Sequence, residues 1–343
     1  MAREIILYPE KATKAELKGF VEKRGYKKAK HFWDWLEGTL NYFWFNDKDY
    51  KSISGVELDI YPVDNTENKY TENQWAVHVR NTYSGSIFDV TEFNDVVKQL
   101  KKQFGGTIIG DYGKNRYAPL WEDNSTPMQR GIERIYKYQK DVLDKIKFSL
   151  PEEKIKLPKI ENNKDKVFQN YIKQHDPSRV IYNGLIPLLI ATIENLLYSY
   201  FAILLKYDNS VNKKLTEKYT KIKLYFCDIE KLEKGSYKKE NVIANQYNFQ
   251  NLQSAKSAYD LFEIDLHKIF HNKILRNSRP RIDLFQALSE LIENRHKIIH
   301  NLTFDFSVSK NDFINKLNVV QNMIDTITTE IENKYKIQID KEL

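Results

Sequence analysis

An arginine and two histidines fall within six residues near the end of the segment 281–301, as Arg295-His296-Lys297-Ile298-Ile299-His300. On an α-helix each residue turns about 100° from the one before. Leu284, Leu288, Leu291, Ile292, Ile298 and Ile299 then lie within about 60° of Arg295, so the guanidinium sits along an apolar stripe. His296 lies about 100° and His300 about 140° round from it, on one shoulder of that stripe. A guanidinium does not give up its proton, so at a core-facing position it needs a buried anion or an oriented cleft. A histidine beside it can take or give a proton near neutral pH.

A second apolar segment, 185–205, reads LIPLLIATIENLLYSYFAILL. Ile186, Ile190, Ile193, Leu197, Phe201, Leu204 and Leu205 define its buried face, and Glu194 stands on the edge of that face. One core helix therefore carries an inward Glu and another an inward Arg. This is read either as a structural ion pair from Glu194 to Arg295 or as a polar site built into a helical core. The segment is long enough to cross a bilayer. Glu194 and Asn195 at its centre are costly in lipid, and no strong one-sided Lys/Arg bias flanks it. A buried helix, with no membrane partner, is the expectation.

Other chemistry-bearing residues have plainer readings. His267 and His271 have the i, i+4 spacing of metal ligands, but no third ligand is evident, so stacked or solvated rings are expected and no metal is assigned. Lys51, Glu57 and Asp59 are too loosely spaced for a nuclease-type acidic cluster and read as surface residues. The loop Gly110–Tyr117 lacks the Gly-Lys-Ser/Thr of a phosphate-binding loop, and no cofactor is expected.

The elements that must hold these residues divide the chain. Residues 1–125 read as an α+β domain. A helix begins near Thr13 and ends by Gly25, and Trp33–Leu36 continues a second apolar segment. Alternation at Val56, Leu58 and Ile60 and at Trp75, Val77 and Val79 predicts two half-buried strands. Phe93, Val96, Val97 and Leu100 predict a helix closed by Gly105-Gly106, with a short strand at Thr107–Ile109. Residues 126–163 read as a helical connector and a linker marked by Pro151 and Pro158. Residues 164–343 carry almost no strand signal and suggest helices over 164–174, 180–206, 211–226, 252–272, 281–300 and 309–335. Asp283 or Ser278 would cap the fifth of these, and Ser309 with Asp312 resembles a capping box. The fold class expected is an α+β domain followed by an all-α bundle, mainly α overall.

Composition limits the alternatives. At 343 residues the chain exceeds one average domain. With 41% apolar and 29% charged residues it is neither disordered nor low in complexity. The single cysteine, Cys227, excludes an internal disulfide framework and a Cys-rich zinc site. The run Ile5-Ile6-Leu7 is too short for a signal peptide, and a cytoplasmic setting is the expectation. The net charge of +7 divides into 24 basic against 22 acidic residues up to residue 150 and 30 against 25 beyond it. That excess permits nucleic-acid binding without establishing it.

The motif Arg295–His300 reads Arg, polar residue, three residues, His, near the end of a late helix. With an early apolar helix bearing Glu194, a segment Phe262–Phe270 between and a long helix after, residues 165–340 resemble the HEPN superfamily of nucleotide-binding and ribonuclease domains. The resemblance implies a helical bundle that cuts RNA without metal. The 2′-hydroxyl attacks the adjacent phosphate and leaves 2′,3′-cyclic phosphate and 5′-hydroxyl ends. It implies Arg295, His300 and His296 as catalytic residues, with Glu194 and Asn301 supporting them. It implies a homodimer in which two motifs share one cleft, and a role as a toxin or anti-phage effector with an antitoxin, phage trigger or other regulatory protein as partner. Lys273, Arg276, Arg279 and Arg281 ahead of the motif, and Lys27 and Lys28 in the basic run 23–30, are the expected RNA contacts. Tyr26, Trp33 and Trp35 are aromatic candidates for the same surface, with core packing expected for at least one of the tryptophans. The first domain would control or direct the nuclease. A non-catalytic nucleotide- or RNA-binding or dimerisation protein is the alternative.

Overall fold

Alternating side chains build the first half. The computed structural model describes residues 2–30, 37–155, 163–218, 226–235, 238–275 and 282–341, and the chain divides into units Met1–Arg130 and Gly131–Leu343. In the first unit, β1 (Ala2–Tyr8) leads into α1 (Lys14–Lys23), followed by β2 (Lys27–Lys28), β3 (Leu40–Trp44), β4 (Val56–Pro62) and β5 (Trp75–Thr82). Helix α2 (Ile87–Phe104) and β6 (Thr107–Gly110) complete it. The strands form one antiparallel sheet in the order β2-β3-β4-β5-β1-β6, with Ile5 opposite Val79 and Leu58 opposite Val79 in register. Taking β1, β4, β5 and β6 with the two helices, the path is the β-α-β-β-α-β split arrangement.

Both helices cover one face of this sheet. Ile5 and Leu7, Val56, Leu58 and Ile60, and Val77 and Val79 point into a core closed by Leu17 and Val21 of α1 and by Val90, Phe93, Val97 and Leu100 of α2. Each such side chain removed from water contributes about 1.5–3 kcal/mol. Thr13 caps α1 through a reciprocal bond with Glu16, and Ser86 caps α2 in the same way with Asp89. The turn from α2 to β6 needs Gly106. Its φ is +99°, and a Cβ there would lie 2.0 Å from the Tyr8 carbonyl oxygen.

The second unit is helical. α3 (Pro127–Phe148) starts just before the boundary between units. It is followed by α4 (Asn163–Gln174), α5 (Ser178–Tyr207), α6 (Val211–Lys218), α7 (Phe226–Glu233), α8 (Lys239–Ala244) and α9 (Leu252–Tyr259). The last three are α10 (Leu266–Asn272), α11 (Leu284–Asn301) and α12 (Lys310–Tyr335). More than half of the described residues are helical. α5 packs on α11 and α12, which also pack on each other. Leu189, Ile193 and Leu197 of α5, Leu288 and Leu291 of α11, and Val320, Ile324 and Ile327 of α12 are all buried where these helices pack. Polar ties add register: Tyr200 Oη and Thr328 Oγ1 are 2.8 Å apart, and Tyr136 on α3 donates to Asp325 at 2.8 Å.

Two expectations change here. The helix expected over 252–272 is broken, because Glu263 takes a left-handed φ of +57° and Asp265 starts a new helix by accepting from the Lys268 N–H. Residues 131–148, expected as a connector, belong to the helical unit, with Gln139 on α3 donating to Asn195 on α5 at 2.6 Å. α5 has the length and hydropathy of a membrane span, yet 61% of its most apolar window is buried inside the protein.

Candidate active site

Helix α11 is fixed at both ends. At its start the Asp283 carboxylate accepts from the Gln286 N–H at 2.7 Å. Burial works to raise this carboxyl, but the backbone donor and the neighbouring His271 outweigh it and hold Asp283 below the ordinary carboxylate range. At its end Leu302 adopts a left-handed φ of +50° and its N–H returns to the Lys297 carbonyl. The turn that follows is gripped from α5. Asn183 Nδ2 donates to the Asp305 carbonyl at 3.0 Å while Asn183 Oδ1 accepts from the Asp305 N–H at 2.9 Å. Arg179, 5% exposed, donates to the Phe306 carbonyl at 2.5 Å, and its guanidinium lies 3.7 Å from Glu153.

Between these anchors lies the motif. Leu284, Ala287, Leu288, Leu291 and Ile298 are buried, whereas Ile299 is 48% exposed. The centre of the buried stripe therefore lies roughly 35° away from Arg295 at 100° per residue. Arg295 is half-buried at the margin of the stripe, on the side of the histidines, and not at its centre. No ion pair or hydrogen bond engages it among the described residues. His296 and His300 are exposed, with ring centroids 4.4 Å apart. The motif thus presents a cation and two imidazoles along one edge of a helix, open to an anionic ligand.

The supporting residues differ from expectation. Glu194 is half-buried, as its place on the helix edge requires, but it accepts from Gln250 Nε2 at 2.7 Å and makes no ion pair with Arg295 among the described residues. The loop at Asn248–Asn251 brings Gln250 to it, and that neighbour has no helical spacing by which sequence could find it. Asn301 is exposed, and among the described residues its side chain bonds neither Arg295 nor His300. The supports that sequence reading missed are Arg179 and Asn183. Their signal is two polar residues four apart that continue the buried face of α5 through Ile186 and Ile190.

The expected RNA contacts are spread over both units. Lys27 and Lys28 are exposed on β2, the edge strand of the first unit. Tyr26 is core, 3% exposed, because it closes the end of α1 over the sheet, so it is unavailable for stacking on a base. Lys273 is exposed and lines a groove bounded by α11 and α12. Arg276, Arg279, Arg281, Trp33 and Trp35 lie outside the described residues. Glu57 and Asp59 stand half-buried on the sheet face that α1 and α2 leave uncovered, with Glu4, His78 and Arg80. There His78 lies 3.4 Å from Glu4 and 3.8 Å from Asp59, and Arg80 lies 3.1 Å from Glu4. Desolvation lowers the His78 pKa; Glu4 and Asp59 oppose the fall and Arg80 adds to it.

Among the described residues no group of three or more His, Cys, Asp or Glu side chains is arranged to hold a metal ion. Comparison with family models, with curated proteins and with solved structures finds no match to this chain.

Proposed function

We propose that the helical unit is a metal-independent endoribonuclease of the HEPN type, with Arg295, His300 and His296 as its catalytic residues. The observation that carries this reading is the half-buried Arg295, free of any acidic partner among the described residues, on the same helix edge as the exposed pair His296 and His300. A guanidinium held at the edge of a core but left unneutralised favours a phosphate.

In the reaction a histidine takes the proton of a ribose 2′-hydroxyl. The 2′-oxygen bonds to the adjacent phosphorus, and the bond to the 5′-oxygen breaks. A second histidine returns a proton to that leaving oxygen, giving a 2′,3′-cyclic phosphate and a 5′-hydroxyl. Arg295 stabilises the charge that builds on the non-bridging oxygens. One chain offers a single Arg295, so two copies related by a two-fold axis, with their α11 helices facing, would supply a pair of each group. Ile299, 48% exposed, and Leu302, 81% exposed on a left-handed backbone, are apolar neighbours of the motif suited to such an interface. In this reading the protein acts in the cytoplasm as a toxin or anti-phage effector. A trigger or antitoxin controls it through the first unit, and no membrane is involved.

The deciding experiment incubates the full chain with RNA in EDTA and analyses the new ends. Cleavage with cyclic phosphate ends, absent in His300→Ala, supports the ribonuclease. A folded, dimeric protein that binds RNA without cutting it supports instead a non-catalytic binding or dimerisation role.

A further inference from the structure

A histidine pair outside the motif has the geometry of a metal chelate. His267 and His271 stand one turn apart on α10, and their Nε2 atoms are 3.3 Å apart. Two nitrogens bound to one tetrahedral zinc at 2.0–2.1 Å are separated by about 3.3 Å. The spacing therefore matches one edge of a zinc tetrahedron, and it lies toward the long end of hydrogen-bond distances.

The ring state fits as well. His271 Nδ1 lies 2.8 Å from Asp283 Oδ2. A carboxylate at that distance takes the Nδ1 proton as a hydrogen bond and leaves the Nε2 lone pair free, which is how outer carboxylates prepare metal-binding histidines. Phe285 packs on both rings, with centroids 4.6 Å from His267 and 4.5 Å from His271, and limits their rotation. The backbone holds the two halves together: Ile274 and Asp283 form a β-bridge, and the Leu284 N–H donates to the Lys273 carbonyl at 2.8 Å.

We infer that His267 and His271 bind one zinc ion through their Nε2 atoms, with Asp283 orienting His271 and water completing the coordination. Imidazole pairs select zinc, copper or nickel over magnesium and calcium. Two protein ligands make the site labile, unlike a closed structural zinc site. Asp283 is also the cap of α11, so zinc would tie α10 to the first turn of the helix that carries Arg295 and His300. The site is distinct from the catalytic residues proposed above, and it stands or falls independently of them.

The pair His296 and His300 shares the i, i+4 spacing, and the test must separate the two. Calorimetric titration of zinc chloride into the untagged full chain should show one saturable ion per chain, with no saturable binding of magnesium. His267→Asn and His271→Asn should each weaken binding at least tenfold. Asp283→Asn keeps a residue able to cap the helix but removes the carboxylate, and should weaken it about ten- to a hundredfold. The double variant His296→Asn with His300→Asn should retain the site. Circular dichroism checks that every variant is folded. No saturable zinc binding by the natural sequence, or binding that survives loss of both His267 and His271, overturns the assignment and leaves an imidazole–imidazole hydrogen bond in its place.

Discussion

Asn183 clasps Asp305 by two bonds at once, its amide donating to the Asp305 carbonyl and accepting from the Asp305 N–H. Asn183 is 1% exposed while Asp305 lies in an exposed turn, so the clasp runs from the core to the surface and its two bonds are part-buried. The clasp fixes the turn after His300 to the helix α5 at the centre of the bundle, and through it the last turn of the motif helix. Asn183→Ala removes both bonds and should cost about 1–3 kcal/mol of unfolding free energy. If the turn positions the histidines, RNA cleavage falls at temperatures where the variant is still folded. Denaturant unfolding followed by helical circular dichroism, beside a cleavage assay, checks both parts.

Arg295→Ala and His300→Ala should each lower cleavage by two or more orders of magnitude. His300 is exposed and bonds no protein group among the described residues, so His300→Ala should change stability by no more than about 0.5 kcal/mol. Cleavage rates and thermal unfolding on the same preparations separate loss of chemistry from loss of fold. Unchanged cleavage by both variants overturns the ribonuclease reading.

Glu194 supplies a sharper contrast. Because it is bonded to Gln250 and not to Arg295, Glu194→Gln should keep a hydrogen bond there and leave cleavage within about threefold of the natural protein. A hundredfold loss would mean that Glu194 reaches Arg295 in the RNA complex.

In the first unit the fully buried Asp89 carboxylate accepts from the N–H groups of Ile53, Ser54 and Ser86 at 2.9–3.1 Å. Asp89→Ala strands three donors and removes a helix cap, and should destabilise this unit by about 3–5 kcal/mol. All five tryptophans lie before residue 131, so tryptophan fluorescence follows this unit's unfolding separately from the helical one.

His78 gives the same unit a pH dependence. Its pKa is lowered on folding, so the unfolded chain binds the proton more readily. Stability from this group is complete above the ordinary histidine value of about 6.5 and falls as pH drops from there toward the lower folded value. The fluorescence-detected midpoint should decline as pH falls below about 7, and His78→Gln should flatten that slope. An identical slope in the variant would assign the effect to other groups.

Sequence showed the elements wherever one face alone is buried. Val56, Leu58 and Ile60 alternate cleanly because the opposite face of β4 carries Glu57 and Asp59. β1 was hidden because it lies between β5 and β6, and its Ile5-Ile6-Leu7 run shows no alternation. β2 and β3 are set by pairing across a long connection, which leaves no local period. The motif's helix, Asp283 as one of two candidate caps for it, and the capping box at Ser309 on the helix that follows were legible from spacing alone. The margin position of Arg295 was not, because a helical wheel gives the apolar residues without saying which of them the neighbouring helices cover. Glu194's true partner, Gln250, comes from a loop, and no periodicity reaches it.

The central place of α5 also governs the order in which the chain can become itself on the ribosome. Part of its apolar surface is covered by α8 and α9, and the rest by α11 and α12, which are made only after the whole 208–283 stretch has been synthesised. Until they emerge, that part of the long apolar helix is exposed and prone to aggregate or to engage a chaperone. The same delay bears on the cleft if the unit cuts RNA: Asn183 waits for Asp305, so the motif's last turn is clasped only after that turn has been made.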